Sequence, residues 1–300
     1  MSTSPDSWRP LVTTIRFNAT SFAELLDGGQ AFRWQRHSSG VFRGYWDDRI
    51  AELALDESVG VKWRAVSSPD QAFETDLRHY LNLPRTEPAA PTDELPWRSD
   101  AHLARCMEAF PGLRILRQPF GETLLGFLCS ATKQILQIKQ MMALLAEKHG
   151  AVRPKCHHNG DTLEKPLPTW DQLARSSETD LRACQLGFRA RYIKGTADYL
   201  QANPGWLEHT AGLPYAEAKK ALCTLPGVGE KIADCVALFG LGHDEAFPVD
   251  TWMIKAMERR YGLHGWSPTQ IAHFGRVHFG AKAGLAQQYL FAWERAYGKK

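Results

Sequence analysis

Lys231 and Asp250 are the two residues of this 300-residue chain whose types and settings best suit bond-breaking chemistry. Lys231 closes the run Leu225-Pro-Gly-Val-Gly-Glu-Lys231, and Asp250 follows nineteen positions later within Phe247-Pro-Val-Asp250-Thr-Trp252. A lysine amine can attack as a nucleophile and form a Schiff base, but only when neutral, and the first turn of a helix works against a cation. A carboxylate held near a sugar can stabilise the positive charge that develops as a glycosidic bond breaks. Both residues also have plainer readings. Asp is among the best helix N-caps, and a surface lysine after a glycine turn can simply bind phosphate.

The segment between them says how they are held. A helix ending near Cys223, a Pro226-Gly-Val-Gly229 turn and a second helix with Ile232, Val236 and Phe239 on one stripe make a helix-hairpin-helix at about 216–241. Gly227 and Gly229 are expected to take backbone angles closed to other residues and, lacking a Cβ, to permit close approach. Apolar Val228 lies between them. The second helix presents free backbone N–H groups and the positive end of its dipole, which suits a DNA phosphate whatever the base sequence. A glycine-rich cap between two ordinary helices is the alternative.

The rest of the chain divides in two. Segments near Thr13–Phe17, Ala31–Gln35, Val41–Trp46, Ile50–Leu55 and Gly60–Trp63 carry β-branched and aromatic residues between Gly, Ser and Asp breaks, which predicts a small antiparallel sheet with a short helix near Ser21–Leu26. From Pro69 the period becomes helical, with stripes at Phe73, Leu77, Tyr80, Leu81 and at Leu103, Cys106, Met107, Phe110. Residues 84–97, with Pro84, Pro88, Pro91 and Pro96 among polar residues, predict an irregular connector. One long helix is expected from Glu122 to about Lys148, with Leu125, Leu128, Ile135, Ile138, Met142 and Leu145 inward. After a polar loop over 151–168, Ser177 and Asp180 form a capping signal for a helix stopped by Gly187. Further helices follow Pro214, Gly229 and Pro248, and two more lie between Ser267 and Tyr297.

Bulk properties narrow the class. A net charge of +3 does not by itself call for nucleic acid, so the placement of cations matters. They gather late, at Arg189, Arg191, Lys219, Lys220, Lys231, Arg259 and Arg260. Six scattered cysteines read as reduced thiols. Cys156-His157-His158 has no second ligand cluster near it in sequence, so a polar loop is favoured there over zinc. No apolar run is long enough for a membrane helix, and Met1–Pro10 lacks the marks of a secretion signal. The expected location is intracellular, in the cytoplasm or nucleoid if bacterial.

The lysine-bearing LPGVGEK with FPVD resembles the helix-hairpin-helix DNA glycosylases. Gly29-Gln-Ala-Phe-Arg-Trp34, Phe127-Leu-Cys-Ser130, Leu186-Gly-Phe-Arg-Ala-Arg-Tyr192 and Ala286-Gln287 with Phe291 are similar to landmarks of the 8-oxoguanine DNA glycosylase family, in its order. The resemblance implies an α+β fold: an N-terminal antiparallel β domain like the TATA-box-binding protein over 8–95, then an all-α glycosylase body over 96–300. It implies a bifunctional DNA glycosylase and AP lyase of base excision repair, acting as a monomer on duplex DNA with a damaged base, away from membranes, without cofactor or metal. Lys231 would form the Schiff base and Asp250 would be the catalytic carboxylate. Gln287 and Phe291, one helical turn apart, would bind the edge and face of the flipped base, with Cys235 over its other face. Gly29 would offer its carbonyl to the N7 hydrogen that 8-oxoguanine has and guanine lacks. Phe188 and Arg189 would fill the vacated stack and contact the estranged base; Gly227, Val228, Gly229 and Lys133 would also touch DNA.

Two departures stand out. Ala131-Thr-Lys-Gln134 and Gln137 replace the asparagine run and arginine that the family places opposite the lesion, which puts strict preference for cytosine in doubt. Trp252 stands where a phosphate-binding histidine is expected. The alternatives are a monofunctional alkylpurine glycosylase of the same fold, against which Lys231 speaks, and a non-enzymatic helix-hairpin-helix DNA-binding protein. Relatives carrying an iron–sulfur cluster are disfavoured, since no cysteine follows Cys235.

Overall fold

A computed structural model describes residues 7–66, 70, 72–83, 95–151 and 165–298. Most of the proline-rich connector, and Cys156, His157 and His158, lie outside the described residues. The N-terminal region is a five-stranded antiparallel sheet of β1 (Arg9–Pro10), β2 (Trp34–Arg36), β3 (Phe42–Trp46), β4 (Arg49–Asp56) and β5 (Gly60–Ala65), in the order β1-β5-β4-β3-β2. Helix α1 (Ala19–Asp27) joins β1 to β2, and α2 (Phe73–Tyr80) follows β5.

Aromatic rings fill the space between sheet and α2. Trp34 and Trp46 stack at 6.2 Å, Trp63 and Phe73 at 5.6 Å, and the Trp34 indole N–H donates to the Tyr80 hydroxyl at 3.0 Å. Gly44 sits directly opposite Trp34 in register, and a Cβ there would come within 2.2 Å of the indole. Burying such rings contributes roughly 2–3 kcal/mol apiece, which lets so small a sheet hold its shape.

Thr13–Phe17, expected to be a strand, is not one. Its place on β5 is taken by Arg9–Pro10, while Thr13–Phe17 runs on to α1. Arg78 donates to the Val12 carbonyl at 3.0 Å, and Gly112 packs against Ile15, Arg16 and Phe17 so closely that a Cβ would meet the Arg16 carbonyl at 2.5 Å. β-branched composition favours a strand only where a partner edge is free.

The helical body comprises α3 (Ala101–Ala109), α4 (Phe120–Leu128), α5 (Ile135–His149), α6 (Trp170–Arg175), α7 (Glu178–Leu181), α8 (Arg189–Ala202), α9 (Trp206–Ala211), α10 (Tyr215–Leu222), α11 (Glu230–Val236), α12 (Thr251–Tyr261), α13 (Pro268–Phe279) and α14 (Ala283–Tyr297). The single helix expected over Glu122–Lys148 is thus two, α4 and α5. The Ser130 hydroxyl donates to the Phe127 carbonyl at 2.7 Å, and Thr132 adopts a left-handed φ of 56°. Gln134 and Gln137 then cap a fresh start. The apolar period continues through the break, with Leu125, Leu128, Ile138, Met142 and Leu145 all buried.

Helix α14 returns to the N-terminal region. Arg295 donates to Glu24 at 2.9 Å and to the Gly28 carbonyl at 2.6 Å, and the Tyr289 hydroxyl donates to the Leu113 carbonyl at 3.2 Å. These bonds bring the Gly28–Gly29 corner beside α14.

Candidate active site

Helices α10 and α11 and the turn between them form the hairpin. Gly227 has φ 80°, and a Cβ there would lie 2.6 Å from Tyr192, so glycine is required twice over. Gly229 differs from expectation. Its φ of −93° and ψ of 178° are extended backbone open to any residue, and a Cβ would meet nothing within 4 Å. What glycine provides at 229 is open space in front of the backbone. Val228 is buried and ties the turn to the core. The first intrahelical bond of α11 is made by Ala233 N–H to the Gly229 carbonyl, so the N–H groups of Glu230, Lys231 and Ile232 precede the ladder.

Lys231, half-buried in the first turn of α11, points across to the turn after α4. Its Nζ lies 3.4 Å from the Ser130 hydroxyl and 5.3 Å from the centroid of the Phe127 ring. Because Ser130 donates its proton to the Phe127 carbonyl, the hydroxyl lone pairs are left for the amine. Phe127 itself stacks on Phe239 at 5.6 Å and meets the edge of Phe32 at 5.3 Å, which makes an apolar floor from three separate segments.

Asp250 is the N-cap of α12, with Oδ1 accepting from Trp252 N–H at 3.0 Å and Met253 N–H at 2.9 Å. It is therefore a helix cap, and its second oxygen takes no hydrogen bond among the described residues. Cys235, one turn beyond Lys231 and 4% exposed, registers both charges. Burial pushes its thiol up to about 11; Lys231 pulls it back by charge and hydrogen bond, and the carboxylates of Asp234 and Asp250 push it up. The charges of Lys231 and Asp250 are thus both felt at one buried, neutral thiol. A thiol held protonated offers a packing face and not a nucleophile.

Arg295 of α14 joins the Gly28–Gly29 corner to Phe291. Gly29 has φ 106°, and a Cβ would fall 2.9 Å from Ile135 at the start of α5. Its carbonyl accepts no hydrogen bond among the described residues. The corner is fixed from both sides: Gln30 donates to the Arg114 carbonyl at 2.8 Å, and Lys139 of α5 bonds Asp27 and the Trp34 carbonyl. Phe291 lies half-buried beneath Arg295, whose guanidinium is 5.4 Å from the ring and also holds the Gly28 carbonyl. Gln287, 4% exposed, accepts at Oε1 from Gln288 at 2.7 Å, and its own amide N–H groups find no partner among the described residues.

Residues 14–124 match the family of 8-oxoguanine DNA glycosylase N-terminal domains, and residues 125–276 the HhH-GPD superfamily of base excision DNA repair proteins. The N-glycosylase/DNA lyase OGG1 of Arabidopsis thaliana is 33% identical over 310 aligned residues, covering 97% of this chain and 81% of its own. The chain belongs to the 8-oxoguanine DNA glycosylase family. A crystal structure of the Clostridium acetobutylicum 8-oxoguanine glycosylase/lyase, in complex with double-stranded DNA containing cytosine opposite 8-oxoguanine, superposes with a TM-score of 0.82 at 32% identity, covering 92% of each chain. The N-glycosylase/DNA lyase of Saccharomyces cerevisiae is 27% identical over 80% of this chain and 68% of its own.

In this family member the remaining predicted residues lie at the start of α8, on α12 and on the turn between α4 and α5. Phe188, 44% exposed, stands at the start of α8 after Gly187. Arg189 is turned inward and 3% exposed. Lys133 is exposed on the turn between α4 and α5. Trp252 lies beside Lys255, whose Nζ is 5.9 Å from the indole. The late cations do not form one surface stripe. Lys219 pairs with buried Asp234 at 3.0 Å and Arg259 with buried Glu294 at 2.6 Å, while Arg191, Lys220 and Arg260 stay exposed. Ser130 and Phe127 gain a place at the amine that the sequence did not assign them. The one available signal was their position in the Phe127-Leu-Cys-Ser130 landmark. No group of three or more metal-ligating residues occurs among the described residues, and the five described cysteines are free.

Proposed function

We propose that this protein excises 8-oxoguanine from duplex DNA and then cleaves the strand at the abasic site it has made, with Lys231 and Asp250 as its catalytic pair. The observation that carries the reading is Lys231, half-buried in the first turn of the hairpin's second helix with its amine 3.4 Å from the Ser130 hydroxyl, together with Asp250 capping α12 through one oxygen, in a chain of this family. A duplex buries its glycosidic bonds, so the damaged nucleotide must first rotate out of the stack. The neutral Lys231 amine then forms a bond to C1′ as the bond from C1′ to the base breaks and the departing base takes up a proton. Asp250, fixed by its own cap, stabilises the positive charge on the sugar. The sugar ring opens to a Schiff base with Lys231, and loss of a C2′ proton expels the 3′ phosphate.

In this reading the flipped base lies between Cys235 and Phe291, its edge meets the free amide N–H groups of Gln287, and its N7 hydrogen meets the unpartnered Gly29 carbonyl. The hairpin at Gly227–Gly229 takes the backbone phosphates, and Lys133 and Phe188 meet the duplex around the gap. The enzyme acts as a monomer in the cell interior. No helix among the described residues is long and apolar enough to cross a membrane.

The test is a panel of duplexes carrying 8-oxoguanine opposite each of the four bases, beside one carrying an alkylated purine, scored for base release and for strand scission without heat or base. We expect 8-oxoguanine release with scission, and discrimination against the opposite base looser than an asparagine-and-arginine-bearing relative shows. Alkylpurine release without scission would instead identify a water-using glycosylase. Salt-sensitive binding without release of any base would identify a binding protein.

A further inference from the structure

We propose that Arg295 is a positioning residue for recognition of the damaged base: one guanidinium holds both the corner that carries the Gly29 carbonyl and the ring of Phe291. This assignment rests on the glycosylase reading above and on the roles it gives those two groups. At N7, 8-oxoguanine carries a hydrogen and guanine a lone pair, so a carbonyl facing N7 attracts one base and repels the other. A site built around such a bond rejects the base that lacks the donor only while the acceptor keeps its place.

The Gly28–Gly29 corner does not hold itself, because two successive glycines leave the backbone unusually free. Gly29 has φ 106°, and Gly28 is a glycine because a Cβ there would run into the Glu24 carbonyl. Beyond the corner, Gln30 is tied three times. Its side chain donates to the Arg114 carbonyl at 2.8 Å and accepts from Leu116 N–H at 3.0 Å, and its own carbonyl accepts from Gln118 at 2.7 Å. Before the corner, Gly28 N–H donates to the Glu24 carbonyl at 2.9 Å and closes α1. The peptide plane between the two glycines is fixed by Arg295, whose Nη1 donates to the Gly28 carbonyl at 2.6 Å. The Gly29 carbonyl is thus flanked by a held peptide on each side.

The same Nη1 donates to the Glu24 carboxylate at 2.9 Å, in a spot where that side chain is 15% exposed. Burial pushes the Glu24 carboxyl up, and the Arg295 charge pulls it back. Arg295 also lies one turn beyond Phe291 on α14, with its guanidinium 5.4 Å from the ring centroid, and so limits how the ring can turn. Corner and ring, more than 260 positions apart in sequence, are set by one planar group. A lysine ammonium could take both oxygens but has no plane to lay over the ring. None of these contacts involves Lys231 or Asp250, so recognition of the base and cleavage of the strand should separate when Arg295 is changed.

The experiment measures single-turnover release of 8-oxoguanine and scission of a duplex with a preformed abasic site, which has no base to recognise. A third quantity, measured in the non-cutting Lys231→Gln background, is the affinity for a duplex carrying 8-oxoguanine against the same duplex carrying guanine. Arg295→Met keeps an apolar stem over Phe291 and loses the donors. Combining it with Glu24→Gln removes the carboxylate that the single change leaves stranded. We expect Arg295→Met to slow base release by about tenfold or more and to shrink the preference for 8-oxoguanine over guanine by about the same factor. Abasic-site scission should stay within about threefold of wild type. Arg295→Lys should recover part of the loss, and the double variant should match Arg295→Met. Base release and preference within about twofold of wild type in Arg295→Met would overturn the proposal. So would an equal loss of base release and abasic-site scission in the double variant, which is the mark of general destabilisation. A return to wild-type release in the double variant would overturn it too, by tracing the loss to the stranded Glu24. Wild type that neither releases nor prefers 8-oxoguanine would overturn the glycosylase reading and this proposal together, whereas an active wild type confines the test to Arg295.

Discussion

At the start of α12, Asp250 accepts from two backbone N–H groups at 3.0 and 2.9 Å; in the first turn of α11, Lys231 reaches one side-chain hydroxyl at 3.4 Å. The carboxylate is pinned by the helix it begins, and the amine hangs on a flexible stem over an aromatic floor. This contrast fits the division of labour in the proposed reaction. A group that stabilises charge works best when it needs no reorganisation, so its position should be set by the fold. A group that forms a bond must travel to the anomeric carbon and follow it as the ring opens. The N-cap explanation of Asp250 and the catalytic one are therefore compatible, since one oxygen serves the helix and the other is left over.

The largest expected effect breaks the mobile half. Lys231→Gln should reduce strand scission by about a thousandfold or more while the protein melts within about 0.5 kcal/mol of wild type, because the half-buried side chain makes only weak contacts. Scission at wild-type rate would remove Lys231 from the mechanism. Next comes a pair of changes to the pinned half. Asp250→Asn keeps a capping side chain and loses the charge, so base release should fall by about 10²–10³ with little change in melting. Asp250→Ala should lose the same activity and about 1 kcal/mol of stability as well. Equal melting for the two variants would mean that the cap holds nothing.

A smaller effect sharpens the comparison at the hairpin. Gly227→Ala must place a Cβ against Tyr192 at a positive φ and should destabilise by more than about 1 kcal/mol. Gly229→Ala meets open space in the free protein and should melt normally while binding duplex about tenfold more weakly. Identical melting losses would show that the two glycines serve the same purpose. The smallest effect is expected at Cys235. With its thiol pushed up to about 11, mainly by burial, it stays protonated throughout the neutral range. Cys235→Ala should shift the rate by less than about tenfold and leave the pH–rate profile between about pH 6 and 9 superposable on wild type. A limb that disappears with the thiol would contradict this.

How much of this was legible in the sequence follows from how local each feature is. The hairpin and the Asp250 cap are set by residues within a few positions of one another, and the starts of α10, α11 and α12 lie where Pro214, Gly229 and Pro248 point. The break between α4 and α5 was hidden because the apolar period runs through it. Its left-handed Thr132 is stabilised by Arg189, far away in sequence. Thr13–Phe17 misled for the converse reason: a strand-like composition with its sheet edge already occupied by Arg9–Pro10. Gly229 looked like a conformational glycine and proved to be one that leaves room. Ser130 could be recognised beside Lys231 only once α4 and α11 were placed together.

The most direct measurement is reduction of the enzyme with borohydride during reaction on an 8-oxoguanine duplex, followed by peptide mapping of any DNA-linked fragment. The account predicts one adduct, at Lys231, which is lost in Lys231→Gln and formed far more slowly in Asp250→Asn. An adduct at another residue, or one that persists in Lys231→Gln, would contradict it.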